Sequence, residues 1–186
     1  MAKLAVLLLF SLAMAMPLVH SIVEDDDEWF QNLHYAKHKV TRLHFYLHDT
    51  LSGKNISAVQ VAQASTTKKS LTFFGLVFIF DDPLTESPEP TSRPVGRAQG
   101  LYGSADQQEL ALLLAINFVF TTGKFNGSSL TILGTNSALH PPSEMPIIGG
   151  TGVFRLARGF VIAKAHSLNV TSSNGILKYS VVAIHY

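Results

Sequence analysis

The stretch Ile147-Ile-Gly-Gly-Thr-Gly-Val-Phe-Arg-Leu-Ala-Arg-Gly159 decides how the rest of the chain is read. Gly149, Gly150 and Gly152 place three glycines in four positions, so the backbone must bend there or pass close to another segment. A Gly-x-Gly pair also opens dinucleotide-binding turns, but that fingerprint needs a further glycine where Arg155 stands. The flanking residues alternate like strands and supply no strand-helix-strand unit. The cluster therefore predicts a kink or bulge of the kind that lets a sheet curve and close.

Outward from this cluster, the alternation continues in both directions. Arg42-Leu-His-Phe-Tyr-Leu-His48 puts Leu43, Phe45 and Leu47 on one face, with Asp49 continuing it. Residues 57–63 alternate again, and the apolar run 73–80 reads as a strand stopped by Asp81-Asp82-Pro83. Four prolines between Pro83 and Pro94 then mark a loop. Further strands are expected over 95–102, 129–134, 152–166 and 176–185. The segment Gln107–Phe120 satisfies a buried helix and a strand alike in its first half, and reads as strand from Asn117. About eight strands with little helix predict an all-β, antiparallel barrel. Runs that are apolar on both faces imply that part of the outer surface is covered, as subunit packing would do.

Residues 1–21 have the form of an export signal: Lys3, an apolar stretch from Leu4 to Met16, then Val19-His-Ser21. A stretch of thirteen residues, twelve of them apolar, is short for a membrane span, and no later segment qualifies, so no membrane partner is expected. An acidic segment over 22–40 and a barrel domain over 41–186 complete the organisation. Glu24, Asp25, Asp26, Asp27 and Glu28 form one acidic run, and the remaining body carries an excess of basic residues without a Lys/Arg block. A nucleic-acid partner is therefore not expected. The chain has no cysteine, which excludes disulfides and thiol chemistry. Asn55, Asn126 and Asn169 head glycosylation triplets beside turn residues, so a secreted, glycosylated product is expected.

The ordered set Phe45-Tyr-Leu-His-Asp49, Phe80-Asp-Asp-Pro83, Val95-Gly-Arg-Ala-Gln-Gly-Leu-Tyr102, Phe125-Asn-Gly-Ser128, Gly149-Gly-Thr-Gly152 and Ala157-Arg-Gly159 resembles the plant dirigent protein family. The resemblance implies an eight-stranded antiparallel barrel of the allene-oxide-cyclase type, assembled as a homo-oligomer, usually a trimer, and secreted to the apoplast. It implies a phenolic substrate whose radicals come from a separate oxidase (a laccase or peroxidase) and are steered into stereoselective coupling, as in lignan biosynthesis. In a cysteine-free branch it implies instead dehydration of isoflavanols to pterocarpans. Two positions depart from the lignan-directing pattern. Asn136 replaces an acid, and Ser143 stands where an arginine is usual, which the pterocarpan-forming branch also keeps.

Asp49 is the candidate catalytic residue. In a closed barrel its face points into the lumen, where desolvation keeps a carboxyl neutral and able to exchange protons near neutral pH. Its alternative role is to end the strand and cap the turn at Thr50–Gly53. Tyr102, Phe118, Phe120 and Asn136 are the candidate substrate-binding residues, with core packing the alternative for each phenylalanine. Asp81 and Asp82 are adjacent on a strand, face opposite sides and cannot form an acid dyad with each other; one of them can reach the barrel mouth, with ending the strand before Pro83 the alternative for both. Arg97, Arg155 and Arg158 read as rim or interface ion-pair residues. His44 and His48 stand about 13 Å apart at strand spacing. His34 and His38 lack a nearby acid, so no metal and no cofactor is expected.

Overall fold

The computed structural model describes residues 29–137, 140–169 and 171–186. The expected signal peptide and the acidic run lie outside them. Residues 29–37 belong to a unit of their own, with a helical turn over 29–32 and a 3-10 turn at Leu33–Tyr35. His38–Tyr186 forms the second unit.

Nine strands build that unit: β1 (Lys39–Asp49), β2 (Ala58–Ala62), β3 (Val77–Thr85), β4 (Pro94–Ser104), β5 (Ala111–Phe120), β6 (Ser129–Ser137), β7 (Ser143–Thr151), β8 (Arg158–Asn169) and β9 (Asn174–His185). The first begins two residues ahead of the expected domain start at 41. All pairings are antiparallel, in the order β1-β9-β8-β7-β6-β5-β4-β3-β2. The sheet closes where β1 meets β3 at Tyr46↔Thr85 and Leu47↔Leu84. Because β2 pairs with the other half of β3, from Ala58↔Phe80 onward, it continues the track of β1. The result is an eight-stave antiparallel barrel with one interrupted stave.

The seam has a side-chain clip. Buried His48 meets Thr85 Oγ1 through Nε2 at 2.7 Å, and the Thr85 hydroxyl donates to the Ser87 carbonyl at 2.7 Å. With that proton committed, the imidazole is the donor, so Nε2 carries hydrogen. Burial lowers the pKa of His48, which agrees with a neutral ring.

Three expectations change here. β3 does not stop at Asp81-Asp82-Pro83 but runs to Thr85. Asp81 N donates to Ser57 O, so the nitrogen of Pro83, two residues on, faces the same side. At that point β2 has ended and β1 has not begun, so the missing N–H removes no ladder bond. Second, strand geometry extends from Ala111 through Phe120, and no helix forms there. Third, the run 152–166 is broken: a 3-10 turn at Gly152–Phe154 separates β7 from β8.

The glycine cluster does contain a bulge. Thr131 pairs with Gly149 and Ile132 with Ile147, which leaves Ile148 as the extra residue. At Gly150 a Cβ would lie 2.6 Å from the carbonyl oxygens of both Phe154 and Ser129. The backbones approach there too closely for any side chain.

Alternation sorts the staves into an inner and an outer face. Inward residues Phe45, Phe118, Phe120, Phe154 and Tyr179 pack as an aromatic cluster, with Phe45 and Phe118 edge-on at 4.9 Å and Phe118 and Tyr179 at 5.1 Å. Each is at most 1% exposed, so this part of the barrel is filled. Beyond the cluster the filling stops, and a cavity opens.

Candidate active site

The cavity has a volume of about 160 Å³ and is enclosed by inward residues of six staves. β1 contributes Leu47 and Asp49, β3 Phe80 and Asp82, and β4 Tyr102. β5 contributes Leu112, Leu114 and Ile116, β6 Asn136, and β9 Leu177 and Tyr179. Each arrives by the two-residue period of its strand. In β1 the buried series Phe45, Leu47 ends at Asp49, and in β3 the series Phe80, Asp82, Leu84 carries an acid in its middle.

Asp49 and Asp82 thus come from the two strands that meet at the seam, and they share an apolar chamber. Asp82 is 1% exposed. One oxygen of each, Oδ1, is buried without a hydrogen-bond partner. Desolvation raises the carboxyl of Asp49 to about 6, opposed by the Tyr102 hydroxyl, which donates to its Oδ2 at 3.5 Å. Desolvation also raises Asp82, to about 7; the Ser57 hydroxyl opposes the shift and the charge of Asp49 adds to it. Ionising one carboxyl therefore holds the proton on the other. The Tyr102 hydroxyl favours the charged form of Asp49, and the Ser57 hydroxyl favours that of Asp82. Burial and both carboxylates push the phenols of Tyr102 and Tyr179 upward, and both remain neutral donors.

The turn after β1 does not use Asp49 as its cap. The amides of Leu51 and Ser52 donate instead to Oδ1 of Asn174, at 2.9 and 3.1 Å. Asp81, on the outer face, pairs with the Arg97 guanidinium at 2.5 Å, which is the ion pair expected of that arginine. The two adjacent acids do face opposite ways. The acid that shares the cavity with Asp82 is Asp49, a residue distant in sequence, whose charge acts on it.

Asn136 is held by Ser143, whose Oγ donates to its Oδ1 at 2.7 Å and accepts from the Ser137 amide at 3.2 Å. This fixes the amide and leaves its Nδ2 to donate to a ligand oxygen. Tyr102 stacks on Phe78 at 5.0 Å and against Phe80 at 5.7 Å, which fixes its ring in the cavity wall. Of the five residues expected in the site, Asp49, Tyr102 and Asn136 line the cavity. Phe118 and Phe120 do not: they lie deeper in the aromatic cluster, as core packing, the alternative weighed for each, implies.

Sequence reasoning left open which of Asp81 and Asp82 reaches the pocket, and it missed Ser143 as the partner of Asn136. The alternation Phe80-x-Asp82-x-Leu84 was the available signal for the first. No local signal points to the second. Asn55, Asn126 and Asn169 are exposed. Among the described residues, no group of three or more His, Asp and Glu is placed to hold a metal ion, and no helix is long and apolar enough to cross a membrane.

Comparison with known proteins agrees with this architecture. The family model for dirigent-like proteins matches residues 40–184. Dirigent protein 23 of Arabidopsis thaliana is 47% identical over 96% of this chain and 95% of its own. Dirigent protein 21 of the same plant is 48% identical over the full length of both chains. Pterocarpan synthase 1 of Glycyrrhiza echinata is 43% identical over 83% of this chain and 82% of its own. A solved structure of a pterocarpan synthase dirigent protein superimposes with a TM-score of 0.76 at 44% identity, covering 81% of this chain and 87% of that one. Barrel, motifs and matched residues coincide along the whole domain, and the chain belongs to the dirigent-like protein family.

Proposed function

We propose that the cavity directs the stereoselective ring closure of a phenolic benzylic alcohol by loss of water, in the manner of the pterocarpan synthases it resembles. One observation carries the reading: Asp49 and Asp82 line the same largely apolar cavity, where desolvation raises their carboxyls to about 6 and about 7. Asp82 donates its proton to the benzylic hydroxyl, the carbon–oxygen bond breaks, and water leaves. The resulting benzylic cation, a quinone methide still protonated on its ring oxygen, is held by Tyr102 and Asn136. A phenol of the same molecule then attacks, forming the new carbon–oxygen bond; Asp49 takes the phenol proton, and its return to Asp82 resets the pair. No electron is gained or lost. In this reading Asp49, expected as a carboxyl that exchanges protons, serves as the base, and the Tyr102 hydroxyl at 3.5 Å supports its anion.

A cavity of about 160 Å³ is small beside the several hundred typical of drug-sized ligands. It suits one substituted ring, with the rest of the substrate at the mouth, better than two phenoxy radicals side by side. Coupling of two monolignol-type radicals supplied by a separate oxidase is the second reading, supported by the relatives that bear the dirigent name. The same acid pair would serve ring closure of its quinone methide products.

The outer face supports assembly into a homo-oligomer. Ile79, Leu101, Ala115 and Leu133 stand in one register row across β3 to β6, and three of the four are exposed large apolar side chains. The apolar amino terminus and the exposed asparagines of the three triplets support secretion and glycosylation.

Chiral chromatography tests the function. The secreted protein is given a racemic isoflavanol without oxidant and, separately, coniferyl alcohol with a one-electron oxidant. Enantioselective loss of water in the first assay supports the dehydrative reading. Enantiomeric excess in the second assay alone replaces it with radical coupling.

A further inference from the structure

The outer face of β8, β9 and β1 carries charge that the cavity does not use. Alternation turns Arg42, His44 and Tyr46 outward on β1, Lys178, Ser180 and Val182 on β9, and Arg158, Phe160, Ile162 and Lys164 on β8. Four of these are exposed cations. The three staves contain one acid, Asp49, which faces the cavity. The described ion pairs, Arg93–Glu86, Arg97–Asp81 and His140–Glu109, all lie elsewhere. The flanking acids are Glu144 on β7, opposite Ile162, and Glu89 in the β3–β4 loop, which interacts with His166.

Register sharpens the point. Tyr46 opposes Lys178, and Lys178 opposes Lys164. Like charges at directly opposed strand positions repel, and among the described residues no acid stands directly opposite either lysine; the nearest on this face is Glu144, diagonal to Lys164. Four residues along, about 13 Å at strand rise, lies the row Arg42–Val182–Phe160. Between the two rows lie Ser180, Ile162 and His44, the last with its Nδ1 3.1 Å from the Ser180 hydroxyl. The face is thus a shallow strip of hydrocarbon and hydroxyl surface with cations at both ends.

We propose that this face binds an acidic polysaccharide, a polyuronate. Carboxylates spaced along such a chain match cations spaced along the strip, and the carbon faces of its sugar rings match Phe160, Tyr46 and Ile162. A nucleic acid fits poorly, because four dispersed cations are few for a phosphate backbone. A second copy of the same face fits worse, because it repeats the charge instead of complementing it.

The test is retention of the full protein on immobilised polygalacturonate in low salt, with neutral glucan and duplex DNA as parallel matrices. Retention on polygalacturonate, absent on glucan and weaker on DNA, is expected. Raised salt abolishes it. The double variant Lys164→Gln/Lys178→Gln weakens retention about tenfold. Lys68→Gln/Lys69→Gln, which removes the same charge outside the face, leaves retention unchanged. Absence of retention, equal loss in the two double variants, or DNA binding as tight as polygalacturonate binding overturns the proposal. Because the readout is binding, the result does not depend on the chemistry of the cavity.

Discussion

Ser143 Oγ donates to Asn136 Oδ1 at 2.7 Å, so the two positions at which this chain departs from the lignan-directing pattern are each other's partner. One neutral hydrogen bond stands where that pattern puts an acid and an arginine. Ser143 is 7% exposed, and a lone arginine there would be overpacked and lack its carboxylate.

The pair is therefore expected to behave as a unit. Ser143→Arg alone and Asn136→Asp alone should each lower stability by about 1–3 kcal/mol. The double variant should recover part of the loss, with a coupling of about 1 kcal/mol or more in a double-mutant cycle. Additive losses by denaturant unfolding would show that the two positions do not exchange as a pair.

Removing either cavity acid should abolish product formation while leaving the barrel intact. Asp82→Asn keeps the size of the side chain but has no proton to donate, and Asp49→Asn cannot accept one. A loss of about 10²–10⁴-fold in turnover is expected for each, with unchanged circular dichroism. Wild-type turnover in Asp82→Asn would remove that residue from the mechanism.

The same acids make stability depend on pH. Their carboxyls rise from 3.8 to about 6 and about 7 in the folded chain. Between about pH 4 and 7 the folded protein thus binds more protons than the unfolded one, and stability falls as pH rises through that window. The double variant Asp49→Asn/Asp82→Asn should be more stable than wild type at pH 7, by about 2 kcal/mol or more, with the advantage gone at pH 4. A melting series from pH 4 to 8 in which the two curves run parallel would contradict the burial of both acids.

Much of this was legible in the sequence, and the failures have physical causes. Strict alternation in β1 and the glycine cluster before β8 predict a closed antiparallel barrel, and the structure has one. Asp49 was legible because it extends an apolar face. Asp82 was obscured by Pro83, which reads as a stop; whether a strand tolerates a proline depends on which neighbour faces its nitrogen, a long-range fact. For Phe118 and Phe120 cavity wall and core packing both stayed open, because alternation gives the face of a strand but not depth along the barrel.

That depth sets an expectation for Phe118. It is fully buried between Phe45 and Tyr179, so Phe118→Ala should cost about 3–5 kcal/mol. Phe118→Leu should cost less, and the protein that remains folded should keep its product enantiomer. A change of enantiomer at unchanged melting temperature would return Phe118 to the cavity wall.

The outer row supplies the remaining prediction. Ile79, Leu101 and Leu133 are 49%, 40% and 43% exposed, and they align across neighbouring strands, so a partner barrel laid on them would remove a continuous apolar strip from water. A charge placed in that strip must be desolvated without a counterion, a cost that falls on the assembly and not on the isolated barrel. The wild-type chain should therefore sediment as an oligomer, and Leu101→Glu and Leu133→Glu should sediment as monomers while the circular dichroism stays the same. Lys164→Glu, on the opposite, cationic face, should leave the assembly intact. An oligomer that survives Leu101→Glu but dissociates with Lys164→Glu would move the interface to the β8–β9–β1 face, and with it the surface left free for an acidic polymer.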